Sequence, residues 1–126
     1  MSLAIASVLV AGLMPIVCAG IAKAGQRNYD NHNPREWMAK QTGYRARANA
    51  AQGNCFEAFP FFAVGILLAM HAQVPQARLD LYAGIFIVAR VAYIACYITD
   101  KAKLRSLAWF VGFLCTIGLF SAALGA

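Results

Sequence analysis

The stretch ARANAAQGNCFEAFPFFAVGILLAM, residues 46–70, decides the fold. From 48 to 70 it carries a single charge, Glu57, in a run otherwise free of ionisable acids and bases. About 20 apolar residues are enough to cross a bilayer as a helix. Working outward, runs 1–22 and 107–126 carry no charge, and run 81–98 carries only Arg90. The expectation is four transmembrane helices, at about 3–23, 46–70, 79–98 and 104–125.

Composition agrees. Of 126 residues, 61% are hydrophobic and 13% charged, against about 45–50% and about 25% in soluble domains. Four spans leave no room for a separate soluble domain. The chain therefore reads as one all-α domain, 1–126, an integral membrane four-helix bundle. Short connections make consecutive helices antiparallel neighbours. Ala22-Lys23-Ala24 resembles a signal cleavage site. No positive charge precedes the first run, however, and the run is too long for a signal core, so a retained helix is expected.

The net charge of +6 is not a nucleic-acid stripe. Lys23, Arg27, Arg35, Lys40, Arg45 and Arg47 lie between or beside the first two spans, and Lys101, Lys103 and Arg105 between the last two. The other side holds Arg78 alone. Nine basic residues against one put both basic loops in the cytoplasm and both termini outside by the positive-inside rule. Cys18, Cys55, Cys96 and Cys115 lie within apolar helices, with no C-x-x-C and no histidine at ligand spacing. They read as small buried residues, and no metal site is expected.

Between the first two spans, Asn33-Pro34-Arg35-Glu36 reads as a helix start with a capping box. A short interfacial helix carrying Trp37 at headgroup level is expected, broken by Gly43. Val74-Pro75 and Thr99-Asp100-Lys101 read as turns. The small residues Ala46, Ala48, Ala50, Ala51 and Gly53 suit close backbone approach, so this segment is expected between helices.

Ionisable residues at membrane depth are costly and usually face a bundle interior. Arg47, Asn54 and Glu57 share one helical face at spacings of seven and three. Arg90, Tyr93 and Tyr97 share another, and Arg105-Ser106 opens the last helix, where the dipole favours an anion. Antiparallel packing puts Glu57 and Arg90 at comparable depth. A buried ion pair holding the helices in register would explain these two residues. It would not explain the others, which together suggest a polar pocket for an anionic ligand, open to the cytoplasm.

Arg47, Asn54-Cys55-Phe56-Glu57-Ala58-Phe59-Pro60, Arg90-Val91-Ala92-Tyr93, Tyr97 and Leu104-Arg105-Ser106 resemble the MAPEG superfamily, the membrane-associated proteins in eicosanoid and glutathione metabolism. The wording is most similar to its bacterial branch. The resemblance implies a homotrimer, here in a bacterial inner membrane, binding glutathione between subunits on the cytoplasmic side. Arg47, Asn54, Glu57, Arg90, Tyr93 and Tyr97 would hold the tripeptide. Arg105 would face its thiol, beside Ser106. Relatives that use glutathione commonly carry Arg where this chain has Ala50, which removes one carboxylate anchor. The Glu57-to-Pro60 spacing is also one residue shorter than in eukaryotic relatives.

The chemistry implied is activation of an external thiol. A guanidinium and a helix N-terminus both favour thiolate, and the thiolate attacks an apolar electrophile arriving from the membrane. Two other classes fit a four-helix membrane protein. A small proton-coupled transporter would carry its essential carboxylate in the first helix, which has none here. A catalytically silent scaffold would fit the Ala50 departure.

Overall fold

The computed structural model describes residues 3–126. The described residues form five helices and no strand: α1 Leu3–Lys23, α2 Pro34–Ala39, α3 Gly43–His71, α4 Gln76–Ile98 and α5 Ala102–Leu124. α1, α3, α4 and α5 are each long and apolar enough to cross a membrane. α3, α4 and α5 begin two or three residues before the expected starts. α3 reaches 29 residues, about 44 Å at 1.5 Å per residue, so its polar first turns extend beyond a hydrocarbon core of about 30 Å.

α1 and α4 run one way, α3 and α5 the other. The contacts at the helix ends establish this: Arg45 Nη1 donates to the Ala22 carbonyl (2.8 Å), and Arg47 Nε to the Ile98 carbonyl (3.1 Å). One end of the bundle thus gathers the C-termini of α1 and α4, the starts of α3 and α5, and α2. At the opposite end, Asp80 of α4 accepts from the Ala4 backbone N–H at 3.2 Å, satisfying a donor at the start of α1. Gln76 Nε2 holds the same carboxylate oxygen at 2.7 Å.

The core away from the basic end is dry. Phe62 and Phe86 stack with centroids 3.7 Å apart, amid Ala11, Ile66, Leu79 and Leu119. Gly118 lets α5 pass α4 closely, because a Cβ there would lie 2.6 Å from the Tyr82 ring. A second cluster of Met14, Cys18, Ala51, Cys55 and Tyr93 lies nearer the basic end.

Both expected turns close in the same way. Lys101 N–H bonds the Cys96 carbonyl and Asp100 N–H the Tyr97 carbonyl, and Val74 and Gln73 repeat the pattern on Ala69 and Met70. This is the Schellman closure, with Asp100 (φ 62°) and Gln73 (φ 59°) at the left-handed position where glycine is usual.

Three details differ from expectation. Asn33 starts α2 without a side-chain cap; its Nδ2 turns to Asp30 instead (3.4 Å), and Glu36 pairs with Lys40 at 3.4 Å. Pro34 at the first position already removes one of the donors a cap would serve. Trp37 is buried, with its ring edge-on to Tyr29 and packed with Ala22 and Ala48. It anchors α2 to the bundle. Among the small residues of α3, Ala48 and Ala51 are buried between helices, whereas Ala50 and Gly53 are exposed, because one helix face can meet neighbours on only one side.

Candidate functional site

Arg90 organises the basic half. It is 3% exposed, and among the described residues no carboxylate lies within ion-pair distance of it. Its Nη2 donates to Cys55 Sγ at 3.3 Å, and its guanidinium carbon lies 4.3 Å from the Tyr93 ring centroid. The expected Glu57–Arg90 ion pair is therefore absent. Cys55 is the α3 residue in contact with Arg90, and Glu57, two positions on, lies about 200° further round the helix. Glu57 is exposed.

Glu57 and Arg90 nonetheless line the same cavity, of about 200 Å³, between α3, α4 and α5. Asn54 and Phe61 of α3 join them, with Trp109, Phe113 and Thr116 of α5 opposite. Asn54 Oδ1 is buried with no hydrogen-bond partner among the described residues. Gly112 gives the cavity its depth: a Cβ there would meet Arg90 Cδ at 3.7 Å and Phe86 Cδ2 at 3.6 Å. One flank is aromatic, with Trp109 stacked on Phe113 at 5.1 Å and Phe61 tilted against Phe113 at 6.3 Å.

Toward the basic end the side chains form a relay of cations and rings. Tyr93 meets Tyr97 edge-on at 5.6 Å, and the Arg105 guanidinium carbon lies 4.5 Å from the Tyr97 centroid. Cation–ring contacts of this kind orient a guanidinium while leaving its N–H donors free at the edges. Arg105 is half-buried and stands one turn from Trp109 on α5. Lys101, the residue preceding that helix, provides no side-chain cap.

With this arrangement in view, the sequence can be set beside known families. It matches the family model of the MAPEG family over residues 3–125. The chain belongs to the MAPEG family. No curated protein matches it.

In this MAPEG chain, the structure brings Asn54, Glu57 and Arg90 together around one cavity and joins Tyr93, Tyr97 and Arg105 to them through ring contacts. Arg47 is set apart, since its Nε is engaged by the end of α4. Ser106 is exposed and does not line the cavity; one residue beyond Arg105, it lies about 100° round α5. Sequence reasoning missed Phe61, Trp109, Phe113 and Thr116. A signal for the α5 residues was present, because 105, 109, 112–113 and 116 recur at the three- and four-residue spacing of one face.

Proposed function

We propose that this protein is a glutathione-dependent transferase or peroxidase that activates the thiol for attack on apolar electrophiles. It would work as a homotrimer in a bacterial inner membrane, with the basic end in the cytoplasm and both termini outside. The observation that carries the reading is the buried Arg90 guanidinium without a counter-charge, in a cavity it shares with the unpaired Asn54 Oδ1 and the Glu57 carboxylate. A ligand that satisfies all three must supply an anion, an N–H donor and a cation. Glutathione carries carboxylates, amide N–H groups and an ammonium. Family membership supports the same choice.

In this reading Arg90 takes a carboxylate, Asn54 an amide N–H and Glu57 the ammonium, with Tyr93 and Tyr97 walling the site. The terminal nitrogens of Arg47 remain for a second carboxylate. Arg105 and the uncapped start of α5 stabilise the thiolate, and Ser106 stands beside them. The thiol proton leaves to water at the basic end. The sulfur lone pair forms the new bond to the electrophilic atom, and the electron pair of the breaking bond departs with the leaving group. The electrophile enters along the Trp109–Phe113 flank.

Two features support the trimer. The cavity of about 200 Å³ is smaller than the ~300–1,000 Å³ of typical ligand sites, as expected if a neighbour supplies the other wall. Exposed Glu57, within an apolar span, is unfavourable against lipid and is relieved when a neighbour covers it.

Calorimetry of the detergent-solubilised protein with glutathione tests the reading, together with a thiolate absorbance titration. The wild type is expected to bind and to form thiolate near neutral pH; Arg105→Ala is expected to bind but not to form thiolate. Absence of binding overturns the glutathione assignment. Full thiolate formation by Arg105→Ala overturns the role of that residue. Native mass spectrometry tests the trimer, and a monomeric mass rules it out. Labelling of Asn31→Cys from outside intact cells would reverse the orientation.

A further inference from the structure

A second concavity lies between α4 and α5, on the side of both helices turned away from the Arg90 cavity. Its volume is about 500 Å³, and its lining is apolar throughout. Gly84, Ala89 and Ala108 form the floor, while Val88, Leu104 and Leu107 project beside it. Along α4 it runs from Gly84 to Cys96, about 18 Å at 1.5 Å per residue. That is close to the depth of one leaflet, half of a core of about 30 Å. On α4 the groove extends from Cys96, two residues before the helix ends at the basic end, to Gly84, just past the helix midpoint.

Its mouth is charged. Lys101 and Lys103, three and one residues before the groove residue Leu104, are exposed, and neither forms an ion pair among the described residues. Asp100 is the acid of the same turn, and Arg105, the third cation, is turned over the Tyr97 ring. An apolar slot about as long as a leaflet is deep, with two exposed lysines just before its first α5 residue, matches an acyl chain that ends in an anionic headgroup. An empty slot would forfeit the dispersion contacts of its lining, and lysines at the interface attract anionic lipid.

We infer that the α4–α5 groove is a binding site for an acyl chain of an anionic glycerophospholipid from the leaflet at the basic end, with the phosphate held between Lys101 and Lys103. The site is independent of the glutathione reading, because it shares no lining residue with the Arg90 cavity.

Native mass spectrometry of the full chain in mild detergent, titrated with phosphatidylglycerol or with phosphatidylcholine of the same acyl chains, tests it. Phosphatidylglycerol is expected to be retained at least about tenfold more tightly, and the Lys101→Gln/Lys103→Gln variant to bind the two lipids equally. Ala92→Phe, which places a ring in the groove from an exposed position, is expected to abolish retention of both, with helicity checked by circular dichroism. Equal retention of the two lipids by the wild type overturns the inference, as does retention unchanged in a folded Ala92→Phe variant. A phosphatidylglycerol preference that survives loss of both lysines overturns the headgroup assignment. Both lysines are exposed, so that arm reads out even if Ala92→Phe misfolds.

Discussion

The two halves of this bundle are built from different materials. Away from the basic end, α1, α3, α4 and α5 meet through stacked phenylalanines, alanines and glycine, with no charge in the core cluster. Toward the basic end the same helices enclose Arg90, flanked by Tyr93, Tyr97 and Arg105, and are tied at their ends by Arg45 and Arg47. In lipid, burying apolar surface supplies little drive for helices to associate, so packing and polar contacts carry that task. The dry half is held by packing. The basic half is held by cations that engage ring faces and helix-end carbonyls. The division predicts which substitutions should harm the fold and which the chemistry.

The largest effect on stability is expected from Phe62→Ala. Phe62 is fully buried against Phe86, and truncating a core aromatic costs about 3–5 kcal/mol. Reversible denaturant unfolding in mixed micelles measures it; a change no larger than a surface substitution would break the comparison. Next is Arg90→Met. Because no ion pair among the described residues depends on Arg90, the bundle should still fold. Glutathione binding should weaken by about 10- to 100-fold, given about 1.5–3 kcal/mol for a hydrogen bond to a charged group. Calorimetry and unfolding on the same sample would read out the two effects separately, and a folding defect larger than the binding defect would overturn the assignment.

Gly118→Ala should destabilise by about 1–3 kcal/mol through overpacking, because its Cβ would press on the Tyr82 ring at 2.6 Å. Thiolate formation by the folded protein should be unchanged. The smallest effect belongs to Arg47→Gln, which removes the cation at the end of α4. Such a contact is worth about 0.3–1 kcal/mol, and the unfolding free energy should fall by that amount. A loss as large as that of Phe62→Ala would mean that the basic half carries the fold after all.

Those arginines also show where the sequence stopped being legible. Arg45 and Arg47 lie in the first turns of α3, where the dipole of their own helix disfavours a cation. The sequence reading took their charge as orientation and, for Arg47, as a ligand contact. Their partners are carbonyls at the ends of α1 and α4, 23 and 51 residues away. Asp80 caps α1 from 76 residues away in the same manner. Capping across helices depends on which ends are neighbours, and helical periodicity carries no information about that.

The sequence by itself determined the number of apolar spans, their alternating direction and the clustering of basic residues at one end. Each of these follows from apolar run length, charge position or spacing along one helix. Only the tertiary structure decided that Arg90 contacts Cys55 and Tyr93 and leaves Glu57 unpaired, that Trp37 is buried, and that α5 contributes Trp109, Phe113 and Thr116 to the cavity. Those outcomes depend on the rotation of each helix about its own axis. Side chains from neighbouring helices set that rotation, and a difference of 100° per residue separates a ligand contact from a residue facing elsewhere.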